Sequence, residues 1–326
     1  MTLEKIAHRR RWTLWLAYLF SPELSNPEET AVLKSTMGLV VVLLYCASAN
    51  SQQTQRGQTS SIREIIPGHY MFSSGDLNGG IIATSEGVVV FDALDSEAVA
   101  RAEREAIAAT IRQPVRFLVS SPYHNPYSKG NAAYADVWKI GHELYRTDLV
   151  RQMERDKASP EEQKARLPNQ TFRDRITLYL GGKEIQVLYL GRAHTRGDSI
   201  VYVPQDRIVY LSEVFSAGQF LFMNDGYGLD WLKTVETAAG LDADIFVPGH
   251  SPLPADPKQT REEFLRYRQM LVDVRDSVQQ AITRGVTEDQ AVATIQWPQY
   301  EKLRGYEAQR PTVIRRFYRQ LTGALP

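Results

Sequence analysis

The chain has 326 residues, of which 43% are apolar and 23% charged, as is usual for a soluble globular protein. Its 38 lysine and arginine residues balance 38 aspartate and glutamate residues, so the formal net charge is zero. This balance, with no basic stripe in the sequence, argues against nucleic acid or an anionic membrane as a partner. The length fits one large layered α/β domain.

The first 49 residues have the composition of an export leader. Lys34 precedes an apolar run at 37–46, which at about ten residues is too short to span a bilayer but suits the core of a signal peptide. Residues 47–49 (ASA) then offer a small-residue cleavage site. We therefore predict a leader over 1–49 and an exported protein, periplasmic or secreted, after cleavage near Ala49.

Two alternatives for the N-terminal region stay open. The segment could instead anchor the chain in a membrane, and either Met1 or Met37 could be the true start. Residues 50–61 are polar and predict a flexible mature N-terminus without a stable membrane span. Cys46 is the only cysteine and lies inside the predicted leader, so we expect neither a disulfide nor a thiolate ligand downstream.

From Ile62 onward the sequence alternates strand and helix signals. Apolar runs at 81–83 and 88–91 predict a hairpin, and Asp95 or Ser96 can cap a helix that runs to about Arg112. Further strands are predicted at 115–119 and 245–247, and two further hairpins are predicted from the strand pairs 176–180 with 184–190 and 199–203 with 208–211. Residues 120–131 have the composition of a loop.

The last seventy residues or so predict helices, because apolar side chains recur at every third or fourth position. Gly285 is a candidate helix end, and Thr287 with Gln290 resembles a capping box for the next helix. No linker divides the mature chain. We therefore predict one core over 62–255 and a helical C-terminal extension over 256–326 that packs on it.

Four polar residues follow predicted strands. His124, His194 and His250 each come shortly after a strand end, and Glu213 follows a fourth. A histidine taken alone is more often structural, but four such residues at strand ends indicate a site where the loops converge. Neutral imidazoles with one carboxylate form a normal zinc ligand set, so these residues are candidate metal ligands.

These residues carry a resemblance to a known family. Residues 191–198 (GRAHTRGD), 211–213 (LSE) and 247–250 (VPGH) match in order three motifs of the metallo-β-lactamase superfamily of metal-dependent hydrolases, and the hairpin at 81–92 resembles its early strands. The resemblance implies an α/β fold, a four-layer αββα sandwich with the site at one edge of its sheets. The helical C-terminal extension would add to that sandwich.

The main motif of the family is degenerate in this sequence. The family carries His-x-His-x-Asp-His shortly before Gly-Asn. Anchored on the Gly-Asn at 130–131, residues 122–127 read PYHNPY and keep only the second histidine, His124. A proline replaces the aspartate, Tyr127 replaces the last histidine, and Glu213 stands in place of the bridging aspartate.

Ligand counting then argues against a complete two-metal site. We predict a reduced site with one zinc ion, or none, held by a subset of His124, His194, Glu213 and His250. Glu213 is also the candidate catalytic base, and Tyr127 the candidate donor to a developing oxyanion. The predicted function is an exported hydrolase whose small-molecule substrate belongs to the ester, lactone, thioester or lactam class.

Two other functions remain open. A non-catalytic pseudoenzyme could keep the fold to bind a ligand or a partner, since three motif ligands are lost. A site without metal could instead use tyrosine and histidine in acid–base roles. Three histidines and an acid at family ligand positions argue for a bound metal, whereas the loss of three motif ligands argues against efficient hydrolysis. Metal content discriminates between these hypotheses.

Overall fold

The computed structural model describes residues 60–325, so the predicted leader, its cleavage site and Cys46 lie outside the described residues. Within this part, residues 60 and 61 already belong to a strand, so the predicted polar N-terminal segment does not extend to 61. The strands are β1 (Ser60–Ile66), β2 (His69–Ser74), β3 (Leu77–Thr84), β4 (Gly87–Phe91), β5 (Val115–Ser120), β6 (Trp138–His142), β7 (Gln170–Phe172), β8 (Arg175–Leu180), β9 (Lys183–Leu188), β10 (Ile200–Val203), β11 (Ile208–Tyr210) and β12 (Ile245–Val247).

The strands form two sheets. The first has seven strands in the order β1 to β7, antiparallel from β1 to β4 and parallel from β4 to β7. The second has five in the order β12-β11-β10-β9-β8, with only the β11–β12 pair parallel. Parallel neighbours present their carboxyl ends at one edge, which is where the loops after β5, β11 and β12 begin.

Helices cover both outer faces of the sheet pair. They are α1 (Glu97–Thr110), α2 (Asn125–Ser128), α3 (Glu143–Arg155), α4 (Pro160–Arg166), α5 (Gly228–Ala239), α6 (Gln259–Thr283), α7 (Glu288–Thr294) and α8 (Tyr306–Leu321). The last three, from the C-terminal extension, pack with α5 against the five-stranded sheet. None of the helices in the described part is both long and apolar enough to cross a membrane.

The alternation of side chains along the strands separates three apolar layers. In β4, Val88 and Val90 pack toward α1, whereas Val89 and Phe91 face the second sheet. In β10, Val201 faces the first sheet, while its neighbours on either side pack under the C-terminal helices. This period of two produces a helix–sheet–sheet–helix stack. The predicted four-layer αββα sandwich is therefore confirmed.

Most of the predicted local elements are confirmed. The three hairpins, the helix capped by Ser96 and the capping box of Thr287 and Gln290 form as expected. The sequence analysis did not predict β1, β2, β6 and β7. The loop assignment for 120–131 was wrong in part, because residues 125–128 form α2, whose first turn tolerates the missing N–H of Pro126.

One buried acid lies away from the sheet edge. Glu103 of α1 is fully buried under the first sheet, and its Oε2 accepts a hydrogen bond of 2.8 Å from the Tyr134 hydroxyl. Its other carboxylate oxygen has no hydrogen-bond partner among the described residues. Burial raises the pKa of Glu103 to about 8, and the nearby Asp92 adds to the shift. Glu103 is therefore protonated in the folded protein at neutral pH.

We predict that Glu103 makes the protein less stable as the pH rises. The unfolded chain releases this proton near pH 4.5, whereas the folded chain holds it up to about pH 8. Between these values the folded state binds the extra proton, so each pH unit removes up to about 1.4 kcal/mol of stability. Glu103→Gln should flatten the dependence, as measured by urea unfolding between pH 5.5 and 8.5.

The exposed Glu105 on the same helix provides the control. Glu105→Gln should follow the wild-type dependence, so the difference between the two variants isolates the buried group. Parallel stability curves for wild type and Glu103→Gln would contradict a protonated Glu103.

Candidate functional site

The four predicted ligand residues meet at one edge of the sheets. His124 follows β5, His194 follows β9, Glu213 follows β11, and His250 follows β12. All four side chains line one cavity of about 550 Å³. The loops after these strands therefore converge, whereas a role of these residues in catalysis or metal binding remains a prediction.

His124 and His194 face each other directly. His124 Nδ1 lies 2.9 Å from His194 Nε2. Each outer ring nitrogen faces an acceptor, His124 Nε2 the Asp225 carboxylate at 2.9 Å and His194 Nδ1 the Phe222 carbonyl at 3.0 Å. Both outer nitrogens therefore carry protons. With both rings neutral, the two inner lone pairs would face each other, and a shared proton or a metal cation would relieve that repulsion. Burial lowers the pKa of His194 and so disfavours its protonated ring.

His250 lies between two carboxylates. Its Nδ1 is 2.7 Å from Asp76 Oδ2, and its Nε2 is 2.5 Å from Glu213 Oε1. Because a carboxylate only accepts hydrogen bonds, both ring nitrogens carry protons and the ring is an imidazolium. Burial alone would lower the pKa of His250, but Glu213 and Asp76 outweigh it and raise the pKa to about 9.

Glu213 links the two histidine groups. Its second carboxylate oxygen lies 3.7 Å from His194 Nε2. Burial alone would raise the pKa of Glu213, but His250 and His194 outweigh it and hold that pKa well below its usual range. The side chain is therefore ionised, and a carboxylate with so low a pKa is a weak general base. The geometry suits a ligand or counter-ion better than the predicted base.

Buried groups beneath the cavity hold the loops in place. Asp92 accepts hydrogen bonds from the Ser121 amide at 2.8 Å and the Ser212 hydroxyl at 2.5 Å. Ser212 has a positive φ of 48°, a conformation that costs a non-glycine residue energy and needs such support. Asp198 accepts hydrogen bonds from the amide and hydroxyl of Thr195, and so orders the loop that carries His194.

Gly249 brings His250 next to Glu213. A Cβ on Gly249 would lie 2.5 Å from the Ser212 carbonyl group, so no larger residue fits without moving one backbone. The Gly249 amide is shared between the Ser212 and Phe215 carbonyls, at 3.0 and 2.9 Å. The absence of a side chain therefore sets the distance between the two loops.

The hydroxyl of Tyr127 contacts the backbone of another loop. The residue is almost fully buried, and its hydroxyl donates to the Gly249 carbonyl at 2.6 Å. The hydroxyl proton that we predicted to stabilise an oxyanion is therefore bound to a backbone carbonyl, and the geometry favours a positioning role for Tyr127.

Two other histidines, His69 and His142, make hydrogen bonds away from this cavity, as expected for structural residues.

The sequence analysis did not identify two residues that orient His250. Asp76 lies in the turn between β2 and β3, and Arg304 lies just before α8; the two form an ion pair. The amide of Gln219 also donates to Asp76 at 3.1 Å. A lone aspartate in a turn gives no signal of such a role. Asp225 also lines this cavity and contacts His124.

The donor set fits one metal ion better than two. Each of His124 and His194 has its outer nitrogen fixed by an acceptor, the usual support of a metal-bound imidazole. Two ligands of a tetrahedral zinc lie about 3.3 Å apart, since zinc–nitrogen bonds measure about 2.0–2.1 Å. The separations of 2.9 and 3.7 Å around His194 Nε2 bracket this value. Among the described residues, however, no group of three or more such side chains already has metal-binding geometry.

We predict that Gly249→Ala destabilises the protein and separates His250 from Glu213. The new methyl group would overlap the Ser212 carbonyl, and overpacking of this kind costs about 1–3 kcal/mol. Thermal unfolding measures the loss of stability, and histidine NMR spectra report the loss of the His250–Glu213 hydrogen bond.

Gly240 offers a matched control, because its backbone is right-handed and its Cβ would make only an ordinary contact at 3.4 Å. Gly240→Ala should leave the histidine spectrum unchanged. A Gly249→Ala protein with wild-type stability and spectrum would refute the close-approach argument.

Comparison with known proteins gives a consistent result. The family model described as "Metallo-beta-lactamase superfamily" matches residues 77–250. A curated relative, the 2,4-dinitroanisole O-demethylase subunit alpha of Nocardioides sp. (strain JS1661), is 27% identical over 169 residues. The match covers 50% of this chain and 49% of the relative, so the chain spans about half the length of the curated protein that it matches.

Solved structures share the fold at low sequence identity. A metallo-beta-lactamase from Pontibacter korlensis superposes with a TM-score of 0.55 and 19% identity, covering 65% of this chain and 99% of that one. The inverting sec-alkylsulfatase Pisa1 from Pseudomonas sp. superposes with a TM-score of 0.65 and 16% identity, covering 81% and 50%. At these identities the likeness establishes the fold alone.

Proposed function

The chain belongs to the metallo-β-lactamase superfamily, and we propose that it is a hydrolase with one zinc ion held by His124, His194 and Glu213. Two imidazoles and one carboxylate are a known catalytic zinc ligand set, with the fourth position left to water. The proposal narrows the predicted set, because His250 carries protons on both nitrogens and has no free lone pair for a metal.

One observation carries this proposal, the close approach of two inward-facing histidine nitrogens. His124 Nδ1 and His194 Nε2 lie 2.9 Å apart, while Asp225 and the Phe222 carbonyl fix the outer nitrogens. Two lone pairs at this distance repel unless a proton or a metal cation lies between them, and burial of His194 disfavours the charged ring that a proton would require, because it lowers the pKa of His194. The ionised Glu213 beside them adds the negative charge that favours a divalent ion.

A bound zinc ion would supply a Lewis acid that polarises the substrate and activates water. The chain's own residues supply the rest. His250, held as an imidazolium, places a fixed positive charge where it can stabilise negative charge that develops on the substrate. Asp76 and Glu213 hold that ring in place from both sides. Tyr127 positions the loop that carries His250, through its hydrogen bond to the Gly249 carbonyl.

The substrate that we propose is a small ester. The family's lactone, thioester and lactam chemistries remain in the screen. One similar structure is named as an alkylsulfatase and one relative as an O-demethylase subunit, which directs the screen toward ester and related oxygen-linked groups. Phe222 lies at the cavity with 43% of its surface exposed, so it offers an apolar contact for the substrate body. Export after cleavage near Ala49 also remains our proposal.

We predict about one zinc ion per chain in the purified protein, measured by elemental mass spectrometry after zinc incubation and dialysis. His194→Ala should lose the ion, because it removes the central ligand of the three. His250→Ala should keep the ion and lose hydrolysis of the ester panel. Loss of zinc in His250→Ala would instead place His250 in the ligand set.

His142→Asn is the matched histidine control. His142 caps α3 through its side chain, and asparagine is a favoured cap, so fold and zinc content should both persist. A wild-type chain that takes up no zinc would rule out the metallohydrolase and leave the alternative, a fold kept for binding a ligand or partner.

A further inference from the structure

A second, polar cavity of about 270 Å³ adjoins the cavity of the histidines. Its charged lining consists of Arg151, Arg196, Arg316, Asp148 and Asp225. Three arginines thus face two aspartates, which leaves a surplus of one positive charge in a chain whose formal net charge is zero. Such a surplus in a concave site favours an anionic ligand.

The two aspartates are already engaged by other groups. Asp148 binds the guanidinium of Arg196 through both carboxylate oxygens, at 3.0 and 2.5 Å, and Arg151 approaches it at 3.5 Å. Asp225 accepts hydrogen bonds from the Tyr123 hydroxyl and from His124, each at 2.9 Å. Neither aspartate forms an ion pair with the remaining guanidinium, that of Arg316.

Arg316 of α8 is half-buried, and among the described residues no carboxylate lies within ion-pair distance of it. Its Nε donates to the Gly226 carbonyl at 2.7 Å, and its guanidinium carbon lies 5.3 Å from the centre of the Tyr227 ring. These contacts fix the plane of the group, and its terminal nitrogens have no acceptor among residues 60–325. Burial lowers the pKa of Arg316, and the charges of Tyr227 and Asp225 offset that shift only in part.

The two cavities meet at Asp225, which lines both. Tyr123, in the polar cavity, precedes His124 in the chain, and the two rings lie 4.4 Å apart. A molecule with its anionic group beside Arg316 would therefore extend past Asp225 toward the histidines. Phe222, exposed at the larger cavity, lies where an apolar part of that molecule could pack.

We propose that the polar cavity is a substrate-anchoring site in which Arg316, assisted by Arg151, binds a carboxylate, sulfate or phosphate group of the substrate. This inference rests on the proposed function and deepens it, because it makes the substrate an anionic small molecule with an apolar body. A guanidinium presents paired donors in one plane, which matches the oxygens of these groups.

Binding measurements on the full chain without added zinc test this site independently of hydrolysis. Isothermal titration calorimetry would compare 4-nitrobenzoate with its neutral counterpart, 4-nitrobenzamide, at low salt. The wild type should bind the anion about tenfold or more tightly, as expected for a charge-assisted hydrogen bond. Arg316→Gln should bind the two probes alike.

Arg315→Gln is the matched control, because Arg315 lies next in the chain but pairs with Glu288 and Asp289 away from the cavity. It should keep the wild-type preference. If Arg316→Gln does not fold, Arg316→Lys keeps the charge, loses the planar donor pair and should reduce the preference.

Equal affinity of the wild type for both probes, or an unchanged preference in the Arg316 variants, would overturn the proposal. Sodium sulfate separates a substrate group from a free inorganic anion. It should compete only weakly with 4-nitrobenzoate, and sulfate that binds as tightly would overturn the assignment to substrate. If the wild type takes up no zinc but prefers 4-nitrobenzoate in a way that depends on Arg316, the hydrolase proposal is rejected and the anion site is supported.

Discussion

The candidate site depends on the contact between the backbones at Ser212 and Gly249. Gly249 donates to the Ser212 and Phe215 carbonyls in the five-stranded sheet's loops. Its own carbonyl accepts from the Asn78 amide of β3 at 2.9 Å and from the Tyr127 hydroxyl at 2.6 Å. One peptide group thus joins the edges of both sheets and ties together the loops that carry His124, Glu213 and His250.

This junction explains how the degenerate motif retains an ordered site. Tyr127 stands where the family motif has its last histidine, and the residue has become a structural tie. The metal ligands lost from the loop after β5 are thus partly replaced by contacts that hold the other loops. His250 in turn binds carboxylates on both sides, which fixes it as a charged donor. Chemistry at such a site would divide between the His124–His194 pair and the His250 imidazolium.

Local patterns allowed most of the fold to be predicted, since hairpin turns, caps and alternating strands are encoded over a few residues. The strand-end rule also identified His124, His194, Glu213 and His250, because it needs only the strand and the residue after it. The partners of these residues are not local. Asp76 and Arg304 are separated by 228 positions, and no pattern in either segment points to the other. Tyr127 was assigned to the site, but its partner could not be read from the sequence.

The C-terminal helices contribute more than a cover for the second sheet. They carry Arg304 to Asp76 on the His250 side and Arg316 to the cavity beside Asp225 on the His124 side. Arg304 pairs with a carboxylate that contacts His250, and Arg316 lines the cavity next to the carboxylate that contacts His124. Because net charge is zero over the whole chain, only the fold reveals this local concentration of positive charge. The extension thus contributes to the candidate site, since it adds one arginine near each of the two histidine groups.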